Sequence, residues 1–138
     1  MKPPVVVYTA GVWDLLHRGH LNFLWQSKQL GDILVVGVVS DWGTNAYKDI
    51  FPAEHQQHRM REVGQLGFVD RVVNQATTDP TPNLERIQPD IMTHADDWDR
   101  LKEGHETLER LGIEWVLLPY TEGISSTELR EAKYGQAR

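Results

Sequence analysis

The sequence predicts an α/β fold: a single Rossmann-like domain built on a doubly wound, five-stranded parallel sheet. The first observation is that short apolar runs recur along the chain without polar interruption, as in strands that are covered on both faces. The second is that segments with helical spacing of apolar residues lie between these runs. Regular alternation of strand and helix favours a parallel sheet with helices on both sides.

Two of the five expected strands are strong and three are weaker. The strong strands, residues 5–8 and 33–39, are unbroken and rich in β-branched side chains. Ligands of such folds bind beyond the carboxyl ends of the strands, so the segments after Tyr8, Val39 and Leu118 are expected to form the site. The weaker strands are expected at residues 71–73, 90–93 and 114–118.

The expected helices occupy the segments between the strands. The first should end at Gly31 and bury Trp25, because its apolar residues share one helical face. That face comprises Leu21, Leu24, Trp25 and Leu30. A final helix is expected from Ser125, with Glu128 at the capping-box position. The other helices are expected at residues 53–66, 84–87 and 101–111.

Length and composition limit the class of protein. With 138 residues, the chain is expected to form one domain over residues 1–138. Its formal charge is −6 and its 14 Lys and Arg residues are scattered, which argues against a nucleic-acid-binding protein. It has no cysteine, so disulfides and thiolate metal sites are excluded. The apolar run at residues 5–8 is too short for a signal peptide or a membrane span, and a cytoplasmic protein is expected.

The segment after the first strand, residues 8–20, combines glycines with two histidines. Gly11 allows a turn or a close approach to a ligand, and His17 and His20 would share one face of a helical turn. A helix begins near His20, and helix N-termini favour phosphate. Imidazoles placed there can donate hydrogen bonds to phosphate oxygens. A fortuitous spacing or half of a metal site would also explain the pair, although no third ligand is evident nearby.

A second anion-binding segment is expected near the C-terminus, at residues 119–128. It again follows a strand and opens a helix, with Gly123 and a run of hydroxyl side chains. Taken alone, this run is only a good helix cap. Two phosphate-binding helix starts at one edge of the sheet, however, would suit a polyphosphate that lies across both.

These motifs resemble those of a known family. Residues 17–20 match the His-x-Gly-His motif of the nucleotidyltransferase superfamily, and residues 121–127 resemble the Thr-Glu-Gly-Ile-Ser-Thr-Thr motif of its cytidylyltransferases. Over nearly its whole length the chain is similar to the glycerol-3-phosphate cytidylyltransferase group. Both motifs, at this spacing and in this order of strands and helices, are highly specific for the superfamily.

The resemblance implies a reaction. A phosphate oxygen of the acceptor attacks the α-phosphorus of CTP in line, and pyrophosphate leaves. The acceptor would be a phosphorylated small molecule: a glycerol-3-phosphate-like polyol phosphate, an amino-alcohol phosphate or a phosphonate. Mg²⁺ would travel with the triphosphate, without a metal site of the protein's own. Family members often form homodimers, and a homodimer is expected here.

The resemblance also assigns residues. Catalytic roles fall to His17, His20 and Lys48, with Lys48 on a mobile loop at residues 45–49. Nucleotide binding is assigned to Gly11, Val12, Trp13, His17, His20, Tyr120, Thr121, Gly123, Ile124, Ser125, Ser126 and Thr127. Substrate binding is assigned to Asp14, Lys48, Arg59, Asp96 and Asp97, where Asp14 would orient the first loop rather than act as a base.

Departures from the family pattern keep other functions open. Tyr120 and Gly67 stand where family cytidylyltransferases usually carry Arg. Members that form ADP products lack the arginine that Tyr120 replaces, so an adenylyltransferase using ATP is the first alternative. A nucleotide-binding protein that has lost catalysis is the second. An α/β interaction module with accidental motifs is the third.

Overall fold

A computed structural model describes residues 2–95 and 103–119, with the backbone alone at residues 47 and 48. Its strands are β1 Val6–Gly11, β2 Ile33–Val39, β3 Arg71–Gln75, β4 Ile91–Ala95 and β5 Glu114–Leu118. Its helices are α1 Arg18–Lys28, α2 Asp41–Lys48, α3 Gln56–Gly64, α4 Thr81–Ile87 and α5 His105–Leu111.

The five strands form one parallel sheet in the order β3-β2-β1-β4-β5. From β1 the chain builds outward through β2 to β3, and it then returns to place β4 against the other side of β1. The direction of winding therefore reverses between β1 and β4, where sheets of this kind bind their ligands. The predicted α/β, doubly wound, five-stranded parallel sheet is confirmed.

Side chains of the strands alternate between two buried clusters, one on each face of the sheet. Val7 and Val36 face α1 and α3, where they contact Leu24. Tyr8 and Val35 face the opposite side, where α4 and α5 lie. Because both faces are covered, polar alternation is absent from the central strands, and β2 appears in the sequence as a continuous apolar run.

Three aspartates fix the amino-terminal edge of the sheet. Asp32, Asp70 and Asp90 each accept a backbone N–H near the start of a neighbouring strand, at 2.7 to 2.8 Å. Lys28 binds Asp70 at 2.7 Å, and this hydrogen bond, followed by the backbone N–H, lowers the pKa of the Asp70 carboxyl. These side-chain acceptors satisfy backbone donors that have no partner in the ladder.

Helix α2 differs from the sequence prediction. Residues 45–49 were expected to be a mobile loop, but the structure places Asp41–Lys48 in a helix, and that prediction is wrong. The Oγ of Ser40 accepts the N–H of Gly43 at 2.9 Å and caps the helix. A Cβ on Gly43 would collide with the carbonyl oxygen of Ala76, so this glycine allows the helix to lie close to the end of β3.

The apolar face of α1 is only partly buried. Leu24 is in the core as expected, whereas Trp25 is 50% exposed and contacts the ring of Phe68 edge-on. The expectation that Trp25 is buried is therefore wrong. The expected helix at residues 125–133 lies outside the described residues. Within the part of the chain that the structure describes, none of the helices combines the length and apolar character that crossing a membrane requires.

A buried polar network connects β1 to β3 and to helix α4. The hydroxyl of Tyr8 donates to Gln75 Oε1 at 2.6 Å and accepts from Asn83 Nδ2 at 2.9 Å. Burial raises the pKa of Tyr8 to about 12, so the phenol stays neutral. Gly37 on β2 supplies the space, because a Cβ there would overlap the Tyr8 hydroxyl.

We predict that Gly37→Ala and Tyr8→Phe are each destabilising but not additive. The added methyl group overpacks the site, at a cost of about 1–3 kcal/mol. Loss of the hydroxyl leaves buried polar partners unsatisfied, which costs roughly 1–3 kcal/mol. In the double variant the methyl group occupies space that the hydroxyl has vacated. Urea unfolding of all four proteins measures the coupling, and strictly additive free energies would contradict this account.

Candidate functional site

The predicted histidine segment lies at the carboxyl end of β1, beside the point where the winding of the sheet reverses. We call residues 12–17, between β1 and α1, the histidine loop. The next strand, β2, ends nearby at Val39, and α2 begins directly after it. The segments that follow β1 and β2 therefore lie at the same edge of the sheet.

The backbone of the histidine loop is strained. Trp13 has φ of +56° and Leu15 has φ of +52°, in the left-handed region that residues with a Cβ rarely adopt. This conformation costs roughly 1–2 kcal/mol for each residue. Both side chains are nonetheless buried, at 6% and 4% exposure, so packing and hydrogen bonds hold the loop in place.

Trp13 anchors the start of the loop in the core. Its indole N–H donates to the carbonyl of Gly37 at 3.0 Å, and its ring meets His20 edge-on at 5.7 Å. A Cβ on Gly11 would lie 2.9 Å from the indole ring. The close approach that Gly11 permits is thus to Trp13. Nucleotide contacts of Gly11, Val12 and Trp13 stay a prediction.

Asp14 binds the segment before α3 rather than standing alone in the loop. Its carboxylate accepts the backbone N–H of Ala53 at 2.7 Å and that of Glu54 at 3.0 Å. In the opposite direction, Oε1 of Glu54 accepts the N–H of Leu15 at 3.0 Å. These contacts support the predicted orienting role of Asp14. Its assignment to substrate binding stays a prediction.

Arg59 is fully buried beneath the histidine loop. Its guanidinium donates to the carbonyls of Val12 at 2.6 Å and Val39 at 2.9 Å, and it forms a 2.6 Å ion pair with Asp41. Its Nε donates to the carbonyl of Glu54 at 2.9 Å. The side chain therefore joins the end of β1, the end of β2 and the start of α2. This is a positioning role, and the predicted contact of Arg59 with substrate stays a prediction.

His17 and His20 form the capping box of α1. The Nδ1 of His17, the N-cap residue, accepts the N–H of Gly19 at 3.0 Å. The Nδ1 of His20 accepts the backbone N–H of His17 at 3.3 Å. The two imidazoles replace the Ser or Thr and the Glu or Gln of the usual box. Their ring centroids lie 4.1 Å apart, so the structure brings both predicted histidines together at one helix N-terminus.

This capping arrangement determines where the imidazole protons reside. A ring nitrogen that accepts from a backbone N–H carries no proton, so each neutral ring carries its proton on Nε2. Burial, with a smaller contribution from the charge of Arg18, lowers the pKa of His17 and favours the neutral ring. Each ring therefore carries one N–H donor, at Nε2, without needing positive charge.

The remaining predicted residues are placed only in part. Lys48 is the last residue of α2, a helix whose start contacts Arg59 through Asp41. The predictions for Asp96, Asp97 and residues 120–127 lie outside the described residues. In the described ranges, 2–95 and 103–119, no cluster of three or more His, Asp or Glu side chains could hold a metal ion. Gly67 lies in open space, so a longer side chain would fit there.

Two features of the site were missed in the sequence. The first is the capping role of the histidine pair, which the spacing of three between His17 and His20 could have indicated. The second is Glu54, whose partner Leu15 is 39 residues away. No local signal marks a contact of that range.

Comparison with known proteins gives a family match over residues 8–132, to the model described as cytidylyltransferase-like. Glycerol-3-phosphate cytidylyltransferase of Bacillus subtilis is 36% identical over 91% of this chain and 94% of its own length. Ethanolamine-phosphate cytidylyltransferase of Arabidopsis thaliana is 37% identical over 93% of this chain and 32% of its own length. The bifunctional protein HldE of Desulfatibacillum aliphaticivorans is 35% identical over 90% of this chain, which spans only 26% of that relative.

A solved structure has the same fold. The lipopolysaccharide core biosynthesis protein of Thermoplasma volcanium superposes with a TM-score of 0.74 at 27% sequence identity. The alignment covers 87% of this chain and all of that one.

We predict that His17 titrates below its ordinary pKa of 6.5 and that low pH destabilises the fold through it. Because the folded state holds this proton less tightly than the unfolded state, the stability that His17 contributes is fully present above a pH of about 6.5. That stability is lost as the pH falls through the lower pKa of the folded state. NMR titration of the ring, assigned with His17→Asn, measures the midpoint. A short peptide of residues 14–20 supplies the reference, and a midpoint at or above that of the peptide would contradict the prediction.

Proposed function

This chain belongs to the cytidylyltransferase-like family, and from that premise we propose that it is an enzyme that transfers CMP from CTP to a phosphorylated small molecule. Pyrophosphate is the second product. The family match covers residues 8–132, and two of the similar proteins are themselves named cytidylyltransferases.

The paired histidines at the start of α1 are the single observation that carries the proposal. Their rings lie 4.1 Å apart, and both Nδ1 atoms accept backbone N–H groups. Each ring therefore has an Nε2–H donor, at a helix N-terminus whose dipole favours anions. Triphosphate oxygens are acceptors that suit such donors.

The proposed chemistry needs no covalent intermediate. A phosphate oxygen of the acceptor attacks the α-phosphorus of CTP, the new P–O bond forms, and the bond to the β-phosphate oxygen breaks. The electron pair leaves with pyrophosphate. His17 and His20 donate hydrogen bonds to the oxygens on which charge increases, so catalysis is positioning and charge stabilisation. The attacking phosphate oxygen is already ionised, and a general base is unnecessary.

The other assigned residues complete the proposed site. Lys48, at the end of α2, would neutralise phosphate charge, and residues 120–127 would hold the base, ribose and phosphates. Asp96 and Asp97 would contact the base or the acceptor. Mg²⁺ would arrive bound to the triphosphate, where it neutralises phosphate oxygens. Asp14 and Arg59 would serve the site by fixing the histidine loop.

The proposed acceptor is a glycerol-3-phosphate-like polyol phosphate, an amino-alcohol phosphate or a phosphonate. Similarity to proteins named for glycerol 3-phosphate and for ethanolamine phosphate supports the first two classes. ATP in place of CTP is the alternative that Tyr120 motivates, since this residue replaces a cation of the family pattern.

We further propose a cytoplasmic homodimer. Apolar side chains on the outer face of α1 support a dimer, because Leu21 and Trp25 are 37% and 50% exposed. Large exposed apolar groups often mark contact surfaces.

Pyrophosphate release tests the proposed function. We expect release that needs Mg²⁺, CTP and one acceptor together, when the purified protein is offered four nucleoside triphosphates and a panel of phosphorylated alcohols, amino alcohols and phosphonates. Release with ATP in place of CTP would transfer the assignment to an adenylyltransferase. Nucleotide binding without release over the whole panel would contradict the enzymatic assignment.

Variants of the two histidines separate capping from catalysis. Asn is a good N-cap and Gln suits the N3 position of a capping box, so His17→Asn and His20→Gln should stay folded. Both lose the imidazole donor, and we expect turnover to fall by at least ~100-fold, the scale of one transition-state donor. His17→Ala should in addition lose about 1 kcal/mol of stability with its cap. Near-normal turnover in His17→Asn or His20→Gln would remove that histidine from the chemistry.

A further inference from the structure

We propose that Glu54 is a positioning residue, whose carboxylate holds Leu15 in its left-handed conformation and so fixes His17 for the reaction. The kinetic consequence rests on the proposed function, whereas the placement of His17 does not. Neither the sequence motifs nor the family match assigns a role to Glu54.

Glu54 is a buried carboxylate directed at the histidine loop. It is 6% exposed, its Oε1 accepts the N–H of Leu15 at 3.0 Å, and its Oε2 lies 3.2 Å from Nε2 of His58. A carboxylate removed from water needs such partners. The burial of Glu54 therefore depends on the loop, and the loop depends on Glu54.

Glu54 and Asp14 join the two segments in both directions. The carboxylate of Asp14 accepts the N–H of Glu54 at 3.0 Å, and the carboxylate of Glu54 accepts the N–H of Leu15, the next residue after Asp14. The Nε of Arg59 also binds the carbonyl of Glu54 at 2.9 Å. The backbone of Glu54 is thereby held at both its N–H and its carbonyl, and this positions the carboxylate against Leu15.

We call the reciprocal contacts of Glu54 and Asp14 the clamp, and Leu15 is the residue through which the clamp acts on the site. Its φ of +52° sets the direction in which the chain continues to His17, only two residues later. The left-handed conformation is unfavourable by itself, and the buried N–H would lack this acceptor if the carboxylate were removed. Leu15 would then relax toward ordinary backbone angles, and the imidazole of His17 would move with it.

Four variants test the clamp. Glu54→Gln keeps an oxygen that can accept the Leu15 N–H but removes the charge. Glu54→Asp keeps the charge but is one methylene shorter, and Glu54→Ala removes both. His58→Ala is the matched control, because it removes the neighbour of the other carboxylate oxygen without touching the loop. Each full-length protein is examined by urea unfolding, by steady-state kinetics and by NMR titration of the His17 ring.

We expect Glu54→Ala to lose ~10–100-fold in kcat, as small displacements of catalytic groups do. The His17 midpoint should rise toward 6.5 as the ring loses burial. Glu54→Gln should keep kcat within about threefold of wild type, because its amide oxygen still accepts the Leu15 N–H and keeps His17 in place. The midpoint of the His17 titration should be unchanged. His58→Ala should keep the kcat and the His17 midpoint of wild type, although it loses some stability because the buried Glu54 carboxylate loses a partner.

Two results would overturn the proposal. One is an unchanged kcat and His17 midpoint in Glu54→Ala. The other is failure of Glu54→Gln together with rescue by Glu54→Asp, which would assign the effect to charge. Should Glu54→Ala fail to fold, the other two variants decide. Wild-type behaviour of Glu54→Gln supports the proposal, and failure of Glu54→Gln with rescue by Glu54→Asp overturns it. If wild type releases no pyrophosphate, the proposed function fails, and the His17 titration alone still tests the clamp.

Discussion

The ion pair between buried Arg59 and partly exposed Asp41 is the interaction on which the rest of the site depends. An unpaired guanidinium in the core would be costly, so every acceptor around Arg59 must be in place together. Those acceptors include the carbonyl of Val12, directly after β1, and the carbonyl of Val39, the last residue of the neighbouring strand β2. Folding of α3 therefore sets the spacing between the histidine loop and α2 before any ligand arrives.

The same imidazoles cap α1 and, in the proposed reaction, donate to phosphate, so the stability of this helix and the proposed chemistry are linked. Protonation of Nδ1 in His17 would place a donor opposite the N–H of Gly19. The ring is consequently held in one protonation state and one tautomer.

Much of the fold follows from local sequence pattern, whereas the support of the site does not. Residues 33–39 and 114–118 were predicted with the bounds that β2 and β5 have, because short apolar runs are distinctive. Only β2 is covered on both faces, whereas β5 lies at the edge of the sheet and Leu117 is 46% exposed. Helix α2 was missed, since Gly43 and its polar neighbours are weak helix formers, and the Ser40 cap and contact with Ala76 hold it instead. The exposure of Trp25 could not be inferred, because helical periodicity does not reveal how much of a face the sheet covers. The histidines were recognised by their spacing, but Glu54 depends on a contact of long sequence range that only the tertiary fold creates.

The three aspartates at the amino-terminal edge have a consequence for how this architecture can change. They fasten strand starts at one end of the sheet, while the histidine loop, α2 and the clamp lie at the other. The contacts that fix the strand starts and the contacts that shape the candidate site thus lie at opposite edges of the same sheet. A segment at the carboxyl edge can be exchanged for that of a relative while the strand starts of the receiving chain keep their aspartates, provided that the exchange keeps the acceptors of buried Arg59.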